Sequence, residues 1–170
     1  MELGFIKDQL LRQRTEDSVE YIYAIYEESK GIGKNDLYRT ETYRVIILYT
    51  VSIIEAILFY IYETRDNKIT KTEYKEKSFL PSTYINDKVS GKTIVATEKI
   101  SEKTESEISL KELVQFLKAE KVLKYETSQD LLKIIQMRNS VHLRQKTSSR
   151  HSIEEIEKSL ELLSYILKHA

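Results

Sequence analysis

An arginine and a histidine stand four residues apart in the segment Met137-Arg138-Asn139-Ser140-Val141-His142-Leu143-Arg144. On a helix this spacing places Arg138 and His142 one turn apart on the same face. Arginine is a permanent cation that can hold a phosphate through two hydrogen bonds, and histidine titrates near neutral pH. Asn139, beside them, can both donate and accept a hydrogen bond. The three side chains therefore suit chemistry on a phosphodiester.

The charge around this segment is unlike that of the rest of the chain. The 170 residues hold 27 basic and 27 acidic side chains, so the net charge is zero and the chain is not basic overall. Positions 131–153, however, contain no acid and five basic residues, namely Lys133, Arg138, Arg144, Lys146 and Arg150. We expect Lys133, Arg144, Lys146 and Arg150 to bind phosphate or RNA, since local positive charge attracts polyanions.

An RNA phosphodiester carries its own nucleophile, the 2′-hydroxyl. Arg138 would stabilise charge that develops on the phosphate, and His142 would take or give a proton. This cleavage requires no metal. A structural alternative also fits the pattern, because arginine and histidine late in a helix neutralise its dipole and cap its last carbonyls.

Other catalytic chemistries lack their sequence signals. The chain has no cysteine, and its three histidines, His142, His151 and His169, have no recognisable metal-ligand spacing. The segment Gly31-Ile32-Gly33-Lys34 follows no predicted strand and is typical of a turn rather than of a phosphate loop. The sequence predicts neither a metal nor a cofactor.

The elements that position these residues are mainly helices. Low glycine and proline content with abundant Ile, Leu, Glu and Lys favours an all-α fold. Apolar periodicity predicts helices over 2–30 and about 38–64. Three more are predicted to open at Ser109 with Glu112, at Thr127 with Asp130, and at Ser152 with Glu155. The expected architecture is one domain, residues 1–170, built as a bundle of about five helices.

An insertion is predicted at about 66–107, between the second and third helices. It is polar and contains the only proline, Pro81. The segments 83–85 and 93–97 are β-branched or aromatic and flank a Ser90-Gly91 turn signal. A small β-hairpin or an extended insertion is expected here.

The most apolar stretch, residues 45–62, approaches the length of a membrane span. It contains Glu55, which would be costly in lipid, and several amphipathic helices need a central partner. We interpret it as a buried core helix with no membrane partner. The first eight residues do not resemble a secretory signal, and the predicted location is the cytoplasm.

The segment Arg138-Asn139-Ser140-Val141-His142-Leu143, late in a helical bundle and before a final helix, resembles the motif of the HEPN superfamily. The resemblance covers mainly the helices from 38 to 64 and from 109 to 170. It implies a small all-α protein that acts as a metal-independent endoribonuclease of toxin or defence type. Common catalytic members have four to six residues between arginine and histidine, whereas this chain has three.

The resemblance also implies site residues and partners. Arg138 would contact the scissile phosphate, His142 would transfer the proton, and Asn139 would hold the pair or the RNA. The implied partners are RNA or a nucleotide, a second copy of the chain in a homodimer, and an antitoxin or other partner protein. The shorter spacing keeps an alternative open, in which an inactive HEPN-like module binds RNA or nucleotide or serves only for dimeric interaction.

Glu55 acquires a role in this interpretation. A carboxylate inside an apolar helix is rarely left unpaired, because an uncompensated buried charge is costly. We expect Glu55 to position the side chain of Arg138 or His142 without contacting the substrate itself. The alternatives are that Glu55 lies at the edge of the bundle or pairs with a tyrosine.

Overall fold

The computed structural model describes residues 3–31, 35–81, 92–141 and 151–169. Within them the chain forms an all-α bundle with a small antiparallel hairpin between the second and third helices, which confirms the predicted fold class. The helices are Gln9–Ser29 (α1), Asp36–Glu63 (α2), Leu110–Ala119 (α3), Tyr125–Ser140 (α4) and Ile153–His169 (α5). The strands are Thr70–Pro81 (β1) and Lys92–Glu102 (β2).

The chain divides into two compact units. The helical unit comprises Met1–Arg65 and Ser109–Ala170, and the hairpin unit comprises Asp66–Ile108. All of the described residues with predicted functional roles belong to the helical unit.

Helix α2 is the centre of the helical unit. It packs against α1, α3, α4 and α5. Its buried face consists of Tyr43, Ile46, Ile47, Thr50, Val51, Ile53, Ile54, Ile57, Leu58, Ile61 and Tyr62. The apolar run at 45–62 thus lies in a core helix, as predicted. By length and composition alone the same helix could cross a membrane, and 56% of its most apolar window is buried inside the bundle.

The opposite face of α2 is also apolar but is only partly covered. Val45, Leu48, Ser52, Glu55 and Phe59 are spaced by three or four residues, share one face, and are all half-buried or exposed. Hydropathy is high around the whole helix, so the sequence does not distinguish this face from the buried one.

Side-chain caps fix the start of most helices. Ser109 and Glu112 cap α3 reciprocally, and Ser152 and Glu155 do the same for α5, which confirms both predicted capping boxes. Helix α1 begins at Gln9 rather than near residue 2, because Asp8 accepts a hydrogen bond from the Leu11 amide at 3.0 Å.

The predicted N-cap of α4, Thr127, is wrong by three residues. The helix begins at Tyr125, and its N-cap is Lys124, which has extended backbone and provides no side-chain hydrogen bond. Thr127 lies in the first turn, where its side chain is buried. The helix therefore starts without the favourable cap that the sequence suggested.

The hairpin begins earlier than expected. The predicted segment 93–97 lies in β2, while 83–85 and the Ser90-Gly91 turn lie outside the described residues. The two strands pair from Thr70 with Glu102 to Pro81 with Lys92, with one irregularity between Glu76 and Ser78. Strand β1 begins with Thr, Lys, Thr and Glu, and this sequence is less apolar than the predicted segments 83–85 and 93–97.

Candidate functional site

The end of α4 carries the described part of the predicted site. Arg138 lies in the last helical turn and is half-buried, and Asn139 next to it is exposed. The helix closes at Ser140, with the Val141 amide donating to the Arg138 carbonyl at 3.1 Å. The predicted partners His142, Arg144, Lys146 and Arg150 lie outside the described residues.

The Arg138 side chain makes no hydrogen bond or ion pair with another described residue. By contrast, Arg12 and Arg44 are paired with Glu16 and Glu41, one helical turn away. If Arg138 served only to cap α4, its guanidinium would donate to the last carbonyls, and no such bond exists within the described part of the chain. Its donors are therefore available to a ligand as far as these residues are concerned.

The predicted role of Glu55 is to position Arg138 or His142. No hydrogen bond or ion pair joins Glu55 and Arg138, which are both described residues. Glu55 is half-buried on the partly covered face of α2, together with Leu48 and Ser52, so water reaches its carboxylate. This half-buried position fits the alternative in which Glu55 lies at the edge of the bundle, and the positioning of Arg138 by Glu55 stays a prediction. His142, the other expected partner, is not described.

Lys133 faces a different environment from Arg138. Its ammonium lies 2.8 Å from the Asp130 carboxylate, and both side chains are exposed. A surface pair of this kind is worth only about 0–1 kcal/mol, so it does not prevent Lys133 from binding phosphate. Lys133 and Arg138 are five positions apart, which turns the two side chains to different sides of α4.

A groove of about 990 Å³ runs between α4 and α5 beside these residues. Its floor is apolar and includes Ile134, Met137 and Leu162. Its charged lining is mixed, with the lysines Lys124, Lys133 and Lys158 and the acids Glu126, Asp130, Glu155 and Glu161. The acids repel phosphate, so the groove does not extend the basic character of the 131–153 segment along α4.

Sequence reasoning missed a histidine that the fold brings next to the motif. His151 precedes α5, and its side chain is only 5% exposed. Its Nε2 lies 3.3 Å from the Ser140 hydroxyl, at the end of α4. Its Nδ1 lies 3.4 Å from the Glu155 carboxylate, which also accepts a hydrogen bond from the Ser152 amide.

The hydrogen-bond directions follow from the donors available. The Ser140 hydroxyl donates its single proton to the Met137 carbonyl at 2.6 Å, so it can only accept from His151. His151 Nε2 therefore carries a proton in this arrangement. Ser140 is not an activated nucleophile here, because the ring does not take its proton.

The sequence indicates only the His151–Glu155 half of this arrangement. His151 is the residue before the N-cap of α5, and Glu155 lies four positions further on, within reach on the same face. The proximity of Ser140 depends on how the chain returns from α4 to α5, which no local spacing reveals. The fold thus brings His151 to Ser140, two residues after Arg138.

Among the described residues, no group of three or more His, Asp or Glu side chains could hold a metal ion. The described part of the site consists of the Arg138 guanidinium, the exposed Asn139 side chain and the buried His151 ring, which contacts Ser140. Comparison with known proteins adds no relative: no family model, no curated protein and no solved structure matches this chain.

Proposed function

We propose that this chain is a HEPN-like helical protein that cleaves RNA without a metal ion. In this proposal Arg138 binds the scissile phosphate and His142 transfers the proton. Asn139 is exposed beside Arg138 and would hold the RNA. The all-α bundle and the place of the motif, at the end of a helix that precedes the final helix, support the proposal.

The proposed reaction uses the RNA's own 2′-oxygen. This oxygen attacks the adjacent phosphorus while the bond from phosphorus to the 5′-oxygen breaks, giving a 2′,3′-cyclic phosphate and a 5′-hydroxyl. One proton leaves the 2′-hydroxyl and one reaches the departing 5′-oxygen, which is the work assigned to His142. Arg138 would neutralise the extra charge on the phosphate oxygens in the transition state.

One observation carries this proposal more than any other. Arg138 is half-buried at the end of α4, and its guanidinium has no partner among the described residues. A partly desolvated guanidinium gains more from an anion than a fully exposed one, because the local dielectric is lower. A phosphate would supply the acceptors that the described residues do not.

The partly covered face of α2 supports a homodimer in the same proposal. Leu48 and Tyr49 are 37% and 43% exposed, although they lie on the central helix. The ring of Tyr21, 46% exposed on α1, lies 5.2 Å from the ring of Tyr49 and widens the apolar area. Contiguous exposed apolar side chains of this kind are common at protein interfaces.

RNA cleavage in the presence of EDTA tests the proposal. A fluorescent RNA mixture is incubated with wild type, Arg138→Ala, His142→Ala and, as a charge-matched control, Arg14→Ala. Arg14 is an exposed arginine of α1 outside the motif. We expect the two motif variants to lose about a hundredfold or more of the rate, and Arg14→Ala to retain it.

The other outcomes are equally informative. Equal cleavage by all four proteins would overturn the assigned mechanism. Absence of cleavage by wild type, together with RNA binding that Arg138→Ala loses, would replace the nuclease by the inactive binding module. Circular dichroism of each variant confirms that the helices remain intact.

A further inference from the structure

A second cavity lies at the opposite end of α4 from Arg138. Its volume is about 650 Å³, within the usual range for small-molecule pockets. It is bounded by the segment before α1, the end of α2, the turn between α3 and α4, and the end of α5. All of these belong to the helical unit.

The rim of this cavity is strongly basic in a chain whose net charge is zero. Lys7, Arg65, Lys121 and Lys124 line it, together with His169 and a single acid, Glu120. The side chains of the four lysine and arginine residues make no ion pair with another described residue. Four cationic side chains gathered with only one acid repel one another and favour a bound anion.

Neutralisation of helix dipoles does not account for these cations. Lys124 is the N-cap of α4, so its ammonium stands at the positive end of that helix dipole, where a cation is unfavourable. Lys7 precedes α1 and is likewise at a helix start. An anion in the cavity would offset both of these repulsions.

Two further kinds of hydrogen-bond donor at the cavity have no acceptor among the described residues. The first-turn amides of α4 receive no side-chain cap, because Lys124 provides none. Thr127, in that turn, lines the cavity with a side chain only 8% exposed, and its hydroxyl has no hydrogen-bond partner among the described residues. An anion bound here would accept the proton of this hydroxyl and the protons of the uncapped amides.

The floor of the cavity differs from its rim. Leu58, Ile61 and Ile166 provide aliphatic surface, and Tyr165 provides an aromatic ring. The Tyr60 hydroxyl accepts from the Lys7 amide at 2.8 Å and donates to the Phe5 carbonyl at 3.2 Å, which holds the segment before α1 against α2. The ligand therefore needs an apolar body as well as negative charge.

We propose that this cavity binds a phosphate monoester with an apolar body, as in a mononucleotide. The phosphate lies at the start of α4, bound by Thr127, the free amides and the surrounding cations. The body lies on the aliphatic floor beside Tyr165. This site is separate from the proposed nuclease site, since Lys124 and Arg138 are roughly 20 Å apart along α4.

Isothermal titration with adenosine 5′-monophosphate, adenosine and inorganic phosphate tests the proposal on the full chain. We expect the monophosphate to bind and each of the other two probes to bind at least tenfold more weakly. Thr127→Val preserves the shape of the buried side chain and is expected to weaken binding about tenfold by removing one hydrogen bond to a charged group. Lys124→Gln combined with Arg65→Gln is expected to weaken it further and to reduce its salt dependence.

Controls separate this site from the nuclease proposal. Lys111→Gln removes an exposed lysine outside the cavity, and Arg138→Ala removes the proposed catalytic arginine; both are expected to bind the monophosphate as wild type does. Equal affinity for adenosine and its monophosphate, or wild-type binding by Thr127→Val and the double variant, would overturn the site. Comparison of a 5′-phosphorylated trinucleotide with its 5′-hydroxyl form shows whether a free nucleotide or an RNA end supplies the phosphate.

Discussion

His151 and Ser140 join the end of α4 to the start of α5, with 3.3 Å between the ring Nε2 and the hydroxyl oxygen. Ser140 lies two residues after Arg138, so the contact fixes the helical turn that carries the proposed phosphate-binding side chain. The ring is buried, and its other nitrogen faces Glu155. His151 is thus placed to orient Arg138 rather than to contact a ligand of the proposed site.

Replacement of His151 is expected to impair RNA cleavage without unfolding the protein. His151→Ala removes the donor to Ser140, which loosens the last turn of α4, and misplacement of Arg138 is expected to lower kcat about tenfold while KM changes less. His151→Gln can still donate to the Ser140 hydroxyl and is expected to recover most of the rate. Steady-state cleavage of a short RNA measures both constants.

The control for this experiment is Lys168→Ala, which alters an exposed side chain at the other end of α5, outside the basic cavity. Thermal unfolding of each variant is recorded in parallel. A His151→Gln variant as slow as His151→Ala, at equal stability, would contradict the role of the hydrogen bond to Ser140.

Local signals in the sequence predicted the helical elements well. The Ser109–Glu112 and Ser152–Glu155 pairs cap their helices as expected, because a capping box involves only four adjacent residues. The start of α4 was wrong for the opposite reason. Thr127 is a good N-cap by type, yet tertiary packing buries its side chain one turn inside the helix.

The candidate site was less predictable because its contacts are not local. The 45–62 run is apolar on all sides, so the sequence does not tell that Glu55 lies on the partly covered face. The His151–Ser140 contact spans eleven positions and depends on the return of the chain. The lining of the basic cavity includes Lys7, Arg65 and Lys121, which come from three distant segments, so no single stretch of the sequence is basic enough to reveal it.

Tyr26 is expected to stabilise the bundle through its hydroxyl. This group donates to the Glu157 carboxylate at 2.6 Å and connects α1 with α5, while the ring is buried. Tyr26→Phe is expected to lower the free energy of unfolding by about 1–2 kcal/mol. Urea unfolding measures the change, and Tyr21→Phe is the control, because Tyr21 is exposed and its hydroxyl has no hydrogen-bond partner among the described residues.

The Tyr26 contribution is also expected to depend on pH. Burial, followed by the hydrogen bond to Glu157, raises the pKa of Tyr26 above its ordinary value of 10.0. A raised pKa means that the stabilisation is complete below pH 10 and is lost as the pH rises through the folded-state value. The difference between wild type and Tyr26→Phe should therefore shrink in alkaline solution; a difference that stays constant there would contradict this assignment.

Thr50 offers a stabilising substitution in the core of α2. Its side chain is fully buried, and its hydroxyl has no hydrogen-bond partner among the described residues. Thr50→Val keeps the shape and removes the unsatisfied polar atom, so it is expected to raise the free energy of unfolding by about 1 kcal/mol. Thr50→Ser keeps the hydroxyl, removes a methyl group and is expected to destabilise the protein; a less stable Val variant in urea unfolding would show that the hydroxyl has a partner.

The ion pair between Lys71 and Glu107 is expected to make the stability of the hairpin unit fall at low pH. The hydrogen bond from Lys71, with further bonds from Thr104, lowers the pKa of Glu107 from 4.5 to about 2. A lowered pKa means that the stabilisation is present above pH 4.5 and is lost as the pH falls from there through about 2.

Lys71→Met removes the largest cause, so the pKa of Glu107 is expected to rise toward its ordinary value, as followed by carboxyl-carbon NMR. Thr104 still binds the carboxylate in this variant, so the rise should be incomplete. Lys68→Met, a lysine of the same unit, is the control, and an unchanged Glu107 titration in Lys71→Met would exclude the ion pair in solution.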